Sequence, residues 1–364
     1  MTIVAHAHPF VIGVDTHAKT HALSILATPS GEIIEEATFP TTRSGLARAV
    51  AWAGRRTGGD LAVLWVIECA ATYGAQLARA VADTGYTAVE AARMNAKANR
   101  GIGKSDQLDA RRIAAAVLPL EVDRMRQLRS DDAVRAGLRV LVTARELMTG
   151  ERTANVNALL ALLRMVDLGI DARKPRTRTQ IGEVSHWRVR HEEVGIATAR
   201  NEAVRLARRI TALDSELAEN IAATTALLAQ SPAKVLLEKI GIGPVTAAVA
   251  MAAWSHDGRV RDEAAFASLA GVSPIPASSG NTVRHRLNRG GDRRLNRALH
   301  MAVVTRMAYD PTTRAYAERR TAEGLSKKEI RRVLKRYLAR QIYRTLTAES
   351  RAAIAVPESA PSPA

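Results

Sequence analysis

The sequence predicts a mixed α/β domain followed by a region that is almost entirely helical. Short apolar runs of strand length occur in the first 120 residues, and helical patterns alternate with the later ones. Beyond them, apolar residues recur at helical spacing in long segments rich in Ala, Leu, Arg and Glu. We therefore predict an α/β domain (1–120), a long-helix linker (121–230), a helical C-terminal domain (231–346) and a disordered tail (347–364).

The first domain opens with a meander of three strands. Each is an apolar run, and the turn PSGE separates the second from the third. In chain order the predicted elements are the strands FVIGVDTH, HALSILAT and IIEEATF, the helix TRSGLARAVAWAGRR, the strand DLAVLWVIE, the helix TYGAQLARAVADTG, the strand YTAVEA and a helix from Ser105 to about Val117. By analogy, this order of elements is that of the ribonuclease-H-like folds.

The linker reads as two long helices, over residues 131–165 and 186–229, with DARKPRTRTQIGE between them as a loop. Two long helices joined in this way suggest an antiparallel coiled-coil hairpin that serves as a spacer or a dimerisation arm. An ordinary helical bundle fits the same pattern equally well.

The C-terminal domain begins with LLEKIGIGPVTAAVAMA (236–252), which predicts a helix-hairpin-helix. Gly241 and Gly243 would let a phosphate approach the backbone closely. A glycine-rich helix connection without that role is the alternative. The last predicted helix, SKKEIRRVLKRYLARQIYRTL, starts with a capping box from Ser326 to Glu329. We expect its apolar residues at 330, 333, 334, 337 and 338 to face inward.

Positive charge is concentrated towards the C-terminus. The 364-residue chain carries a net charge of +17, and residues 231–364 hold 23 Lys and Arg against 11 acidic residues. Between 284 and 297 there is one acid, Asp292, and six arginines: Arg284, Arg286, Arg289, Arg293, Arg294 and Arg297. A basic face of this size attracts polyanions, so this segment is predicted to bind nucleic acid.

Several classes of protein are disfavoured. The sequence contains no apolar run as long as a membrane helix, and no signal peptide is recognised, so we expect a cytoplasmic protein with no membrane partner. The single cysteine, Cys69, excludes a disulfide framework and a Cys-cluster zinc site. His17 and His21 lack zinc spacing and are interpreted as polar supports.

Four acidic residues form the candidate site. Asp15 and Glu68 each end an apolar strand, and a buried charge without a partner is costly. Asp106 and Asp109 lie one helical turn apart and would share one face. Taken alone, that pair fits a solvated first turn capped by Ser105. If strands one and four are neighbours, however, all four acids meet at one edge, and two magnesium ions would offset their repulsion.

Six segments, in this order, resemble one family. They are GVDTHAKTH, the glutamate after LAVLWVI, GKSDQLDARR, IGIGPVTAA, ASSGN and RGGDRRLNRAL. The chain resembles the DEDD transposases of bacterial insertion sequences, the group described as bridge-RNA-guided recombinases, over roughly residues 10–346. The resemblance implies a RuvC-like N-terminal domain, a coiled-coil linker and a C-terminal transposase domain.

The resemblance also implies specific chemistry. The four acids would be Mg²⁺ ligands, and a serine followed by glycine would attack DNA and form a phosphoserine link. Here that serine is Ser279, before Gly280, although the adjacent Ser278 leaves an ambiguity of one residue. The implied partners are donor and target DNA, a structured guide RNA, and further copies of the chain in a dimer or tetramer with composite active sites.

Three other functions remain open at this point. A Holliday-junction-type nuclease would use the same acids with water as the nucleophile. An actin-like sugar or acetate kinase also opens with strands and an aspartate, but DTHAKTH lacks the glycines of a phosphate loop. A non-enzymatic nucleic-acid-binding protein would explain the basic third of the chain and not the four acids.

Overall fold

The computed structural model of the protein describes residues 2–91, 103, 105–129, 133–173, 177–188, 190–280, 285–288 and 290–355. The chain forms two compact units. The first contains residues 1–130 together with 255–261, and the second contains residues 131–254 and 262–364. No helix within the described ranges is both long and apolar enough to cross a membrane.

The first unit is built on a six-stranded mixed sheet. Its strands are β1 (Phe10–Thr16), β2 (Thr20–Ala27), β3 (Ile33–Pro40), β4 (Leu64–Ile67), β5 (Thr87–Glu90) and β6 (Arg126–Gln127). The strand order is β3-β2-β1-β4-β5-β6. The antiparallel meander β1–β3 is as predicted. The parallel pairing of β4 with β1 makes strands one and four neighbours, which was the condition for the four acids to meet at one edge.

Helices cover both faces of this sheet. They are α1 (Val4–Ala7), α2 (Arg43–Arg56), α3 (Ala75–Asp83) and α4 (Asp106–Ala115). Side chains alternate along β1, so that Ile12 and Val14 join the core under α2 and α3, whereas Val11 joins the core that contains Ile113 of α4. The sheet is therefore the middle layer of three.

The short segment Ser255–Arg261 completes the first unit. The Arg259 side chain is 4% exposed, and its Nη2 lies 3.0 Å from Glu90 Oε2 at the end of β5. His256 Nε2 lies 3.1 Å from Gln127 Oε1 in β6. The chain thus returns to the last two strands of this sheet long after it has left the first unit.

In the residues that the structure describes, the regular structure of the second unit consists of helices and one small hairpin. Its helices are α5 (Ala133–Met165), α6 (Arg178–Ser185), α7 (Val194–Ala229), α8 (Pro244–Trp254), α9 (Glu263–Leu269), α10 (Arg293–Tyr309), α11 (Pro311–Ala322) and α12 (Lys327–Ala355). The hairpin consists of β7 (Ile275–Pro276) and β8 (His285–Arg286). The apolar helix α8 is buried along most of its length and forms the centre of the unit.

The two long helices α5 and α7 run antiparallel. Asn220 Nδ2 donates to the Leu141 carbonyl at 3.1 Å, and at a later point in α5 but an earlier one in α7 Arg152 Nε donates to Asp214 Oδ1 at 2.5 Å. The predicted antiparallel pair is therefore present, while its coiled-coil character and its role in dimerisation stay predictions. The boundary drawn at residue 230 also stays a prediction, since α5 and α7 belong to the same unit as α8–α12.

Three sequence-based expectations about helices were wrong. The segment DARKPRTRTQIGE is not all loop, because a Thr177–Gln180 capping box starts α6 within it. The element before Gly241 is a 3-10 helix (Pro232–Glu238) rather than a longer apolar helix. The tail does not begin at residue 347, because α12 continues to Ala355 with Thr347 and Ser350 buried.

The inward face predicted for the last helix is correct in part. Ile330 and Leu338 are buried and Val333 and Leu334 are half-buried, but Tyr337 is exposed. An amphipathic pattern counts tyrosine as apolar, although its hydroxyl group lets it lie at a surface.

Candidate functional site

The pairing of β1 with β4 brings Asp15 beside Glu68. Val14 of β1 is the register partner of Ile67 of β4. The residues that follow them, Asp15 and Glu68, therefore lie at the same edge of the sheet. The Glu68 N–H donates to the Val14 carbonyl at 3.0 Å, and Thr16 Oγ1 donates to the Glu68 carbonyl at 3.0 Å. These two hydrogen bonds fix the backbone of Glu68 after β4 has ended.

Helix α4 supplies the other two acids. Ser105 caps the helix by accepting a hydrogen bond from the Leu108 N–H at 3.2 Å, and Asp106 and Asp109 lie in the first turn. Gly13 of β1 allows the helix to lie close to the sheet, since a Cβ atom at that position would be 2.1 Å from the Ala110 carbonyl oxygen. The glycine therefore sets the distance between β1 and the helix that carries the two aspartates.

The acids strongly affect one another. The Asp15 side chain is 9% exposed, and Glu68 is half-buried. Burial raises the pKa of Glu68 above its ordinary value, and a hydrogen bond with Asp15 and the negative charges of Asp15 and Asp109 raise it further. A raised carboxyl pKa means that negative charge is disfavoured at this position. The site is thus arranged to gain from a bound cation.

Other side chains contact three of the four acids. His17 Nε2 lies 3.1 Å from Asp15 Oδ2 and 3.4 Å from Asp106 Oδ1. Arg112 Nη1 lies 3.0 Å from Asp109 Oδ1, one turn along the same helix. The spacing of Asp109 and Arg112 in the sequence is compatible with this ion pair, because residues three apart on a helix are neighbours.

One part of this site brings three potential metal ligands close together. Asp15, His17 and Asp106 each offer a ligand atom, and these atoms lie within 4.8 Å of one another. The two carboxylates suit a hard divalent ion such as Mg²⁺ or Mn²⁺, whereas the imidazole nitrogen is a ligand more typical of transition metals. Sequence reasoning assigned His17 a supporting role and missed it as a candidate ligand, although its position two residues after Asp15 was visible.

His21 is different from His17. It is buried in β2, and burial lowers the pKa of its imidazole below the ordinary value. A neutral buried imidazole fits the predicted role of a polar support.

Ser279 belongs to the second unit, whereas the four acids belong to the first. Ser278, Ser279 and Gly280 are exposed and lie between β7 and β8. Gly280 has a φ of 55°, a conformation that glycine adopts without strain. The structure therefore presents both serine hydroxyl groups on an exposed turn.

The predicted arginines have different environments. Arg286 is exposed in β8 and Arg293 is exposed at the start of α10, while Arg284 and Arg289 lie outside the described residues. Arg294 and Arg297 both pair with Glu146 of α5, with Arg297 Nη2 2.8 Å from Glu146 Oε1. These two arginines connect α10 to α5, so part of their charge is already offset.

The turn between the 3-10 helix and α8 is tightly packed. Gly241 has a φ of 81°, and a Cβ atom there would be 2.6 Å from the Ala302 carbonyl oxygen in α10. Arg306 Nε donates to the Ile240 carbonyl at 2.7 Å. Gly243, in contrast, has open space where a Cβ atom would lie. The structure thus gives Gly241 a packing role and leaves Gly243 accessible.

Comparison with known proteins identifies relatives of both units. The sequence profile of DEDD transposases of the IS110 type matches residues 12–166, and the profile of the Transposase IS116/IS110/IS902 family matches residues 233–318. An uncharacterized 42 kDa protein of insertion element IS900 from Mycobacterium paratuberculosis is 26% identical over 87% of this chain and 90% of its own length. An uncharacterized 43.6 kDa protein of insertion element IS110 from Streptomyces coelicolor is 34% identical over 33% of this chain and 30% of its own length.

Proposed function

Since the chain belongs to the IS110 family of DEDD transposases and is a DNA transposase, we propose that it cuts and rejoins DNA strands through a covalent bond between Ser279 and a DNA phosphate. The acids of the first unit would hold two Mg²⁺ ions, and a structured RNA would select the DNA sites. A protein of this kind rearranges strands without consuming a high-energy cofactor, because the energy of each broken phosphodiester bond is kept in the protein–DNA bond.

The observation that carries this proposal is the convergence of acids at one sheet edge. Asp15 and Glu68 follow adjacent strands, and Gly13 allows α4 to bring its first turn to the same edge. The raised pKa of Glu68 and the clustered ligand atoms of Asp15, His17 and Asp106 both favour occupation by a cation.

Asp15, Glu68, Asp106 and Asp109 are the residues that would hold the ions, with His17 as a further candidate ligand. Bound Mg²⁺ would stabilise the negative charge that develops on a phosphate under attack. The burial of Asp15 and the backbone hydrogen bonds of Glu68 keep these carboxylates in place before the ions arrive. Arg112 would orient Asp109, whose carboxylate it contacts.

In the proposed first step, the Ser279 hydroxyl oxygen attacks a phosphorus atom of the DNA backbone. The bond from that phosphorus to one sugar oxygen breaks as the serine–phosphorus bond forms, and the serine proton ends on the departing sugar oxygen. A hydroxyl group from another strand reverses the step, so Ser279 regains its proton and a new phosphodiester bond forms. The exposed position of the Ser279 turn supports its access to DNA.

Oligomerisation and further nucleic-acid contacts are part of the proposal. Ser279 of one copy would act with the acids of another copy, in a dimer or tetramer held by the long helices α5 and α7. The glycine turn at Gly241 and Gly243 would serve as a helix-hairpin-helix phosphate contact, for which the open space at Gly243 is the support. Exposed Arg286 and Arg293 would contact the backbone of DNA or RNA.

A covalent adduct is the decisive test of this function. Full-length protein would be incubated with Mg²⁺, DNA that carries the ends of its insertion element, and RNA transcribed from the flanking non-coding sequence. We expect a protein–DNA adduct that survives denaturation and that mass spectrometry assigns to Ser279. The adduct should be absent in Ser279→Ala, in Asp106→Asn and in excess chelator.

Ser278→Ala is the matched control, because it removes the neighbouring hydroxyl group and should leave the adduct in place. Because the Asp106 side chain is 53% exposed, Asp106→Asn should keep the wild-type melting temperature, so its loss of activity would not reflect unfolding. Cleavage by Ser279→Ala at the normal rate, with no adduct in the wild type, would instead indicate a hydrolytic nuclease.

A further inference from the structure

The second unit contains a cavity that the proposed chemistry does not use. It has a volume of about 670 Å³ and lies between one side of α12, the strand β8 and the segment after α9. We call it the α12 cavity. It is lined by Gly271, Val272, Ser273, Pro274, His285, Arg286, Leu287, Asn288, Glu329, Arg332, Val333, Lys335, Arg336, Tyr337 and Arg340. Sites for single small ligands have volumes of this order.

The charge of the α12 cavity is strongly positive. Five of its lining residues are Arg or Lys, and the acid among them is Glu329. The Glu329 carboxylate is already bound to the Ser326 N–H at 2.9 Å, as part of the helix cap. Arg340 is offset by Glu263, which accepts a hydrogen bond from it at 2.7 Å. Two further cations of the lining, Lys335 and Arg336, have neutral partners.

Lys335 and Arg336 carry this excess charge at half-buried positions. Lys335 Nζ donates to Asn296 Oδ1 at 3.0 Å, and Arg336 Nη1 donates to Ser273 Oγ at 2.6 Å. Burial, and then the charge of Arg332, lower the pKa of Lys335. Cations held in place by neutral groups are ready to bind an anion, because no ion pair within the protein has to be broken first.

The same cavity has an apolar side. Val272, Pro274, Leu287 and Val333 line it, together with Tyr337, whose ring is at an angle of 85° to that of Tyr316 with 6.1 Å between the ring centroids. Tyr337 and Leu287 are each about half exposed, at 51% and 52%. Tyr316 thus supports the Tyr337 ring on one side while part of the ring stays open to a ligand.

From these features we propose that the α12 cavity binds one unpaired nucleotide of a nucleic-acid strand. The base would contact Tyr337 and Leu287, and its phosphate would contact Lys335 and Arg336. A paired base is held in the duplex stack, so only an unpaired or extruded base can fill a cavity, and aromatic side chains beside arginines are the usual surface for such bases. This proposal does not depend on Ser279 or on the metal site.

Binding measurements with full-length protein test the proposal. The probes are a labelled 12-nucleotide oligothymidine, the matching oligouridine and a hairpin duplex, each followed by fluorescence anisotropy. Tyr337→Leu keeps apolar bulk and removes the aromatic face, so we expect affinity for the single strands to fall about tenfold, while affinity for the duplex changes less than twofold. The comparison of oligothymidine with oligouridine shows whether the nucleotide comes from DNA or RNA.

Two variants that each remove one positive charge give an independent readout. Arg336→Gln removes a cavity charge, and Lys328→Gln removes a charge from an exposed residue of the same helix that does not line the cavity. The first should weaken single-strand binding several-fold more than the second. A photo-crosslinking oligothymidine that contains 4-thiothymidine should attach to Tyr337 or Leu287.

Two results would overturn the proposal. One is single-strand and duplex affinities that fall equally in Tyr337→Leu, which would indicate a general surface effect. The other is a set of crosslinks that avoids the cavity in a wild-type protein that still binds the strand.

Discussion

At the scale of single residues, the site is a cluster of charges held in an unfavourable state. Asp15 is buried, and Glu68 has a raised pKa because of burial and of its contact with Asp15. A cluster of this kind lowers the stability of the protein in the absence of a cation and favours binding of one when it is present. The same repulsion that destabilises the free protein would favour the binding of a metal ion.

This balance makes Glu68→Gln a stabilising substitution in metal-free protein. At neutral pH we expect unfolding free energy to rise by about 0.5 kcal/mol, and activity to be lost. The folded protein holds the Glu68 proton more tightly than the unfolded chain, whose pKa is near the ordinary value of 4.5. The gain in unfolding free energy of Glu68→Gln over the wild type should therefore be absent below pH 4.5 and grow as the pH rises from there to the raised pKa of Glu68.

Thermal unfolding in chelator, from pH 4 to pH 8, measures this effect. Glu32→Gln, the same change at an exposed residue of the same unit, is the control. A wild-type protein that is more stable than Glu68→Gln at pH 7 in chelator would show that Glu68 makes a favourable contact there.

At the scale of elements, one glycine controls where α4 lies. Gly13 faces the helix from the middle of β1, and Ala110 and Ala114 of α4 contact it directly. Small residues on both sides allow the helix and the sheet to approach closely, as in other tightly packed contacts between backbones. The position of the Asp106 and Asp109 turn thus depends on a residue that takes no part in the chemistry.

Gly13→Ala should therefore reduce both stability and activity. The added Cβ atom would meet backbone atoms of α4 at 2.1 and 2.6 Å, and overpacking of this kind costs about 3 kcal/mol. Urea unfolding gives the loss of stability, and adduct formation gives the loss of activity. Gly103→Ala is the matched control before the same helix, since none of the other residues that the structure describes comes within 4 Å of its Cβ position. Wild-type activity in Gly13→Ala would mean that α4 can shift without moving the site.

The contact of α10 with α5 predicts a difference between two nearby arginines. Arg293 is exposed, whereas Arg297, one turn later, pairs with Glu146 at 2.8 Å. Arg293→Gln should reduce the slope of log affinity for DNA against log salt by about one unit, and Arg297→Gln should reduce it less. Titrations at several salt concentrations measure both slopes, and equal reductions would show that Arg297 leaves Glu146 to bind DNA.

Sequence patterns predicted the elements of the first unit because each signal is local. The apolar runs of β1 and β4 and the Ser105 cap lie within a few residues of the features they define. The short helix α6 was missed, although Thr177 and Gln180 have the spacing of a capping box, because its arginine-rich surroundings resemble a loop. The pairing of Arg294 and Arg297 with Glu146 spans about 150 residues, so no local pattern contains it.

The proximity of the first two acids was predicted by the same reasoning, while their role as a site stays a prediction. Asp15 and Glu68 were expected together because parallel neighbours end at one edge. His17 was missed as a candidate ligand, since its direction depends on how the chain turns after β1 rather than on residue type. The α12 cavity was not predicted, because it forms where β8 meets α12, some 50 residues later in the chain.

At the scale of the whole molecule, the first unit depends on a seven-residue segment from the second half of the chain. Arg259 is buried against Glu90, and burial, with the charges of Arg129 and Arg126, lowers its pKa to about 10. The guanidinium group is therefore still charged at neutral pH. Its charge is tolerated in the interior because Glu90 lies 3.0 Å away.

Glu90→Gln should destabilise the first unit by about 3 kcal/mol, because it leaves the buried charge of Arg259 without its acid. Differential scanning calorimetry of the full chain would show a lower transition temperature for that unit. Glu32→Gln again serves as the control, since Glu32 is exposed. An unchanged transition temperature in Glu90→Gln would mean that water solvates the Arg259 guanidinium group or that another acid pairs with it.

The return of the chain at Ser255–Arg261 also has a consequence for biosynthesis. A ribosome releases the strands of the first unit well before it has made Arg259. More than a hundred residues are therefore synthesised before Glu90 can contact Arg259 and Gln127 can contact His256. Domains usually fold as they emerge, and this one would reach its final stability only after most of the helical unit has been translated. A truncated transposase that ends before residue 255 would therefore carry its four acids on an incomplete scaffold.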